Sequence, residues 1–166
     1  VAACVVYSAP YAQVLNMSLG GGASSQTPAL CQAIENATAG GTLSVASVGN
    51  NGPSSSKMYP AGCPGVIGVA ASEPPQGEKL ATYSQRSNVD ITAPGSEVLS
   101  AYPPSRGAYL SGTSMAAPHA SAAAAILAEV MGAEWSPAAA EKLLEDNAFP
   151  LCGPAVDPRS CGHGGL

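Results

Sequence analysis

A serine hydroxyl at the start of a helix is the strongest chemical signal in the chain. Ser114 stands in Gly112-Thr113-Ser114-Met115-Ala116-Ala117-Pro118-His119, ahead of an alanine-rich stretch that reads as a long helix from Thr113 to about Met131. That place sets the hydroxyl beside backbone N–H groups without intrahelical partners, at the positive end of the helix dipole, where an oxyanion is stabilised. Gly112 permits close backbone approach, and the small Ala116 and Ala117 let the helix start pack deep against a sheet. Pro118 is expected to leave the helix unbroken, because the first turn has free N–H groups in any case. A glycine-flanked serine alone most often caps a helix or fills a turn, so the surroundings decide its meaning. His119 follows five residues later on the same helix, so its side chain points round from Ser114 rather than across a cleft, and it is not read as the base. His163 has no motif around it and reads as a surface residue.

The elements that must position this serine alternate between strand and helix patterns. Val14 to Leu19 is a short apolar run closed by Gly20-Gly21-Gly22, the pattern of a buried strand ending at a glycine loop. Pro28 to Ala39 carries apolar residues at helical spacing and ends at Gly40-Gly41, and Thr42 to Val48 is a second strand stopped by Gly49-Asn50-Asn51-Gly52. Strand, helix, strand makes one right-handed crossover of a parallel sheet. Gly65 to Ala70, Val89 to Ala93 and Glu97 to Tyr102 supply further strand candidates. Ser136-Pro137 reads as an N-cap with Pro at the first helical position, opening a helix to about Asn147. The predicted class is α/β, a mostly parallel sheet flanked by helices.

Composition narrows the function. Only 10% of the 166 residues are charged while 46% are hydrophobic, so small residues do the packing. A formal charge of −5 with six Lys plus Arg offers no basic stripe, which excludes nucleic acid and an anionic membrane surface as partners. The longest small-apolar stretch, Ala122 to Ala128, reads as a buried helix and not a membrane span. Five cysteines without a CxxC or a nearby His favour disulfides over zinc. Cys152 and Cys161 flank a Pro/Gly-rich loop, where a bridge would contribute roughly 3 kcal/mol by loop-closure entropy. Cys4 is left as a buried free thiol or a partner for another chain.

The run Gly112 to His119 resembles the nucleophile motif of the subtilisin-like serine proteases, contiguously over the eight residues. After it the likeness weakens, with Ala120-Ser121-Ala122 where the family usually has a Val-Ala-Gly-like triplet; Ala for Gly there bears on helix packing rather than chemistry. The resemblance implies a three-layer architecture and a catalytic triad in the chain order Asp, His, Ser. The Asp and His are therefore expected upstream of Val1, and the chain reads as the C-terminal portion of the catalytic domain. Val1 is no initiator Met and the tail stops at Gly164-Gly165-Leu166, which adds to the expectation of truncation. A sheet lacking its first strands would expose an apolar edge.

The same resemblance assigns further residues. Asn50, after Gly49, would donate its side-chain NH2 to the oxyanion, with the Ser114 backbone N–H as second donor. An Asn placed for left-handed backbone tolerance is the plainer alternative and suits Asn51 better. Ser18-Leu19-Gly20 resembles a substrate-binding strand to which an extended peptide pairs by its edge. Gly20 and Gly49 would leave room for the side chain preceding the cut bond, with Leu19 and Val48 as an apolar lining, and so a mild apolar preference. Asp90, in a nearly apolar strand, must be satisfied either by calcium together with the carbonyl oxygens of Pro64 and Val66, or by backbone N–H groups. Secreted relatives carry bridges that imply Cys31 with Cys63, beside Cys152 with Cys161. The chemistry itself implies no cofactor.

The expected function is a secreted serine endopeptidase acting through an acyl-enzyme on Ser114, on peptide or protein substrates, with its Asp and His from an upstream segment or chain of the same precursor. A non-catalytic peptide-binding remnant is the alternative. An esterase is disfavoured, since Gly-Thr-Ser-Met-Ala is not the Gly-x-Ser-x-Gly elbow.

Overall fold

A computed structural model of the chain describes residues 1–53, 56–73, 79–151 and 162–166. Its centre is a sheet whose strands are β1 (Val14–Met17), β2 (Leu43–Ser47), β3 (Val66–Glu73), β4 (Lys79–Leu80) and β5 (Ile91–Pro94). The pairs β1–β2, β2–β3 and β3–β5 are parallel, and the short β4 runs antiparallel to β3. Helices α1 (Ala2–Ser8) and α2 (Thr27–Ala39) cover one face. On the other lie α3 (Thr113–Met131) and α4 (Pro137–Asp146). This is the three-layer α/β arrangement expected from the sequence.

The strand sequences explain why both faces are covered. Along β3, Val66 and Ala70 join the α1/α2 core while Ile67, Val69 and Ala71 join the α3/α4 core, so period-two alternation feeds two apolar layers at once. Strand β2 is buried along its whole length. Helix α3 meets the sheet through Ala116, Ala117, Ala120 and Ala124, all fully buried, and their small size brings the helix axis close to the strands. Gly68 shows how tight the sheet centre is, since a Cβ there would overlap the Asn88 carbonyl.

Several elements depart from the sequence reading. Helix α1 and β7 (Arg106–Leu110) were not anticipated, and β6 (Val98–Tyr102) pairs with β7 in a separate, mostly exposed hairpin instead of joining the main sheet. Pro118 does not break α3, but the reason differs from the expected one. It is the sixth residue of the helix, beyond the free N–H groups of the first turn, and the helix accommodates it by leaving the Ser114 carbonyl without its i+4 donor. Ser136 caps α4 as expected, its Oγ accepting the Ala139 N–H at 3.2 Å.

Cys31 and Cys63 form a disulfide that ties α2 to the loop entering β3, across 32 residues of sequence. Cys4 is free, but exposed on α1 where a buried thiol was the main expectation. Cys152 and Cys161 lie outside the described residues. Because the closed loop is long, the double variant Cys31→Ala/Cys63→Ala should lose about 4 kcal/mol of stability by loop entropy. Urea unfolding of variant and parent would measure it, and an unchanged midpoint would mean that the bridge constrains nothing in the unfolded chain.

Candidate active site

The site is built where the end of β2 meets the start of α3. Gly112 precedes the helix, and its N–H donates to the Gly95 carbonyl at 2.8 Å. That carbonyl also accepts the Tyr83 hydroxyl at 2.8 Å, and the Tyr83 oxygen lies 2.7 Å from Ser96 Oγ. Burial pushes the Tyr83 phenol above its ordinary 10.0, against the opposing pull of the Ser96 hydrogen bond, so it stays a neutral donor. The turn before Ser114 is thus braced from two sides.

One residue further on, the clasp with the sheet closes. Asn50 Oδ1 accepts both the Thr113 N–H at 2.8 Å and the Thr113 hydroxyl at 3.0 Å. The same hydroxyl accepts the Gly49 N–H at 3.2 Å. Since the backbone N–H of Thr113 can only donate, the oxygen of the Asn50 amide must face it, which leaves Nδ2 uncommitted among the described residues. Asn50 is exposed, Thr113 fully buried and Ser114 half-buried. The Ser114 N–H lies in the first helical turn, where it has no intrahelical acceptor. Asn50 Nδ2 and the Ser114 N–H are therefore two free donors at the junction of β2 and α3 among the described residues, groups of the kind that can meet a developing negative charge. The plainer reading of Asn51, as a left-handed residue, is not met: the positive φ angles of this loop belong to Gly49 at +113° and Gly52 at +74°.

Neither histidine serves Ser114. His119 is exposed on α3 with Nδ1 2.9 Å from the Met115 carbonyl of its own helix. His163 is exposed near the C-terminus, its Nε2 3.3 Å from Glu145 Oε1 and its backbone N–H on the Asp90 carbonyl at 2.8 Å.

The expected peptide-binding segment lies beside this site. Strand β1 stops at Met17, so Ser18, Leu19 and Gly20 continue beyond it, with Leu19 and Gly20 exposed. Asn16 Nδ2 donates to Ser18 Oγ at 3.1 Å, and Ser47 Oγ reaches the Leu19 carbonyl at 3.4 Å, joining this segment to the end of β2. The surroundings of the two glycines differ, a Cβ on Gly20 meeting nothing closer than the Tyr59 carbonyl oxygen at 3.6 Å. A Cβ on Gly49 would overlap Gln85 Oε1 and lie 3.2 Å from Met58 Cγ, and Val48 is buried in the α1/α2 core instead of lining a slot.

Asp90 is satisfied by backbone. Its Oδ2 accepts the Gly68 N–H at 2.7 Å, while its own N–H donates to the Gly68 carbonyl at 2.9 Å. Val66 is buried at the start of β3 and Pro64 is exposed just before it. Burial lifts the Asp90 carboxyl above its ordinary 3.8, opposed by the Gly68 hydrogen bond. Glu141 of α4 is likewise raised above 4.5, chiefly by burial and then by the neighbouring negative charges of Asp90 and Glu145. Sequence reasoning missed Thr113, Tyr83, Gln85 and Met58. Thr113 alone carried a signal, as the residue before the nucleophile in a matched motif.

Similarity to known proteins extends over nearly the whole chain. The family model described as the subtilase family matches residues 5–164. An extracellular protease of Xanthomonas campestris pv. campestris is 38% identical over 160 residues, which is 92% of this chain and 27% of the relative. Subtilisin BL of Lederbergia lenta is 41% identical over 139 residues, 83% of this chain and 49% of the relative. The chain thus spans less than half the length of either. Among solved structures, the prenylagaramide maturation protease PagA superposes with a TM-score of 0.88 at 27% identity, covering 99% of this chain and 63% of that one. The PatG macrocyclase in complex with peptide gives 0.85 at 27% identity, covering 99% and 52%.

The raised Glu141 carboxyl makes stability depend on pH in a definite direction. With its pKa higher folded than unfolded, the folded state binds the proton more tightly, so its contribution is greatest below about pH 4.5 and is lost as pH rises through the folded value. Denaturant unfolding of wild type and Glu141→Gln between pH 3.5 and about 8 would show the variant gaining stability relative to the parent as pH rises. Parallel curves would mean that the carboxyl titrates normally.

Proposed function

The chain belongs to the subtilase family, and from that premise we propose that it is the nucleophile-bearing C-terminal portion of a secreted serine endopeptidase. In this mechanism Ser114 Oγ attacks the scissile carbonyl of an extended peptide. A histidine from an upstream segment of the same precursor takes the hydroxyl proton and passes it to the leaving amine. The resulting ester on Ser114 is then cleaved by water, activated by the same histidine. Asn50 Nδ2 and the Ser114 N–H hold the oxyanion in both steps. The observation that carries the reading is the clasp of Asn50 Oδ1 on Thr113, because it engages the oxygen of the amide and leaves Nδ2 as a free donor. Extracellular relatives and the absence of any helix long and apolar enough to cross a membrane, among the described residues, support secretion.

Two surfaces support an upstream partner. Strand β1 pairs only with β2 among the described residues, so its other edge offers backbone groups to a further strand. On α3 the exposed His119, Ala122, Ile126 and Val130 form one stripe, with Ile126 at 65% and Val130 at 75% exposure. A segment adding strands beyond β1 would cover that stripe and bring the missing Asp and His to Ser114. Without it the chain should be close to inactive, since loss of the histidine alone costs about 10⁶-fold in turnover in subtilisin, where that figure was measured.

Structural calcium belongs to the same proposal. Asp90 Oδ1, left over when Gly68 takes Oδ2, would bind it with the carbonyl oxygens of Pro64 and Val66, a hard-oxygen set suited to that ion. No step of the chemistry runs through it. Added calcium should raise the Tm of the wild type and not that of Asp90→Asn; an equal response in both would remove the site.

The decisive measurement is labelling of Ser114 by an active-site phosphonate. The precursor containing the upstream segment should label and cleave, Ser114→Ala should do neither, and Asn50→Ala should lose about 10²- to 10³-fold in kcat, as measured in subtilisin. Peptide binding without labelling, even with the upstream segment present, would make the protein a non-catalytic remnant.

A further inference from the structure

The length of side chain accepted next to the cut bond follows from a residue that no catalytic motif contains. In the proposed mechanism, on which this inference rests, the attacked carbonyl lies between Ser114 Oγ and Asn50 Nδ2. The side chain on the same residue branches one atom from that carbonyl, so it passes beside the backbone just before Asn50, at Gly49. Opposite is the Leu19–Gly20 segment, tied to the end of β2 by the Ser47 Oγ to Leu19 carbonyl contact. Glycines on both walls suggest a deep slot, but a single side chain reaches both of them. A Cβ on Gly20 would lie 3.9 Å from Met58 Cβ, and a Cβ on Gly49 would lie 3.2 Å from Met58 Cγ.

Met58 is held in that place. The next residue, Tyr59, pairs with Gly21 through two backbone hydrogen bonds of 2.8 and 3.0 Å, and the Met58 carbonyl accepts the Gly62 N–H at 2.7 Å. Behind Gly49 the space is closed by Gln85, fully buried, whose N–H donates to the Gly49 carbonyl at 2.9 Å and whose Nε2 donates to the Ser56 carbonyl at 2.7 Å. Its Oε1 packs against Gly49 without a hydrogen-bond partner among the described residues. Gly49 cannot move back to deepen the slot, since its φ of +113° and its N–H bond to Thr113 fix it from the other side.

We propose that Met58, backed by Gln85, floors the slot and sets the substrate class: peptides with a short side chain, Ala or Ser, before the cut bond. A Leu or Phe there must displace the methionine, and each methylene a pocket cannot accept lowers kcat/KM by about tenfold or more. Methionine is the most adaptable apolar side chain, so Leu falls between Ala and Phe.

The test uses the full-length precursor with peptides that differ only in that residue. Wild type is expected to favour Ala over Phe by at least about tenfold in kcat/KM. Met58→Gly and the milder Met58→Ala should each raise the Phe-to-Ala ratio by about tenfold, a change that loss of folded protein alone would not produce. Equal cleavage of Phe and Ala by the wild type overturns the assignment, as does a ratio unmoved in both variants while cleavage still depends on Ser114. Absence of Ser114-dependent cleavage on every peptide, with Ser114 unlabelled by the phosphonate, overturns the endopeptidase reading and this inference with it.

Discussion

Two hydrogen bonds into one amide oxygen organise the site. By accepting both donors of Thr113, Asn50 Oδ1 couples the last turn of the sheet to the first turn of the helix that carries Ser114. The coupling is reciprocal, because the Thr113 hydroxyl returns it by accepting the Gly49 N–H. Had the amide been reversed, the Thr113 N–H would face another donor and be left unpaired next to a fully buried side chain, at a cost of about 1–3 kcal/mol. The orientation that leaves Nδ2 as a free donor is therefore enforced by ordinary hydrogen-bond accounting.

That clasp works only if helix and sheet lie close together, and small residues make it so. Four fully buried alanines on α3 let its backbone approach the strands. Behind the clasp, the Tyr83 hydroxyl and the Gly112 N–H share the Gly95 carbonyl, so the turn leading into α3 is anchored on strand β5's exit as well as on β2. A low charge content fits the same design: a helix and a sheet packed this closely have little surface for solvated side chains where they meet.

The architecture is closed in some directions and open in others. The two faces of the central sheet are each covered by a pair of helices, yet β1 has one bare edge among the described residues and α3 shows an apolar stripe beside it.

Local pattern was enough for much of this. The span of α3, the Ser136 cap and the crossover from β1 through α2 to β2 were all legible, because helical spacing and capping residues are properties of neighbouring residues. What the chain order does not encode is which atoms fill a space between distant segments. Gly20 and Gly49 promise room, and only the folded chain shows Met58 and Gln85 arriving from later loops beside them. The hairpin of β6 and β7 was hidden for a related reason, since its exposed strands bury no face and so carry no strong alternation. Asp90 had two open partners in the sequence, and the register of β3 against β5 supplies the Gly68 N–H. The sequence by itself determined the motif around Ser114, its helix and the layers around it; the tertiary structure decided which side chains from distant segments meet beside it, because contact between residues far apart in the chain depends on register and packing.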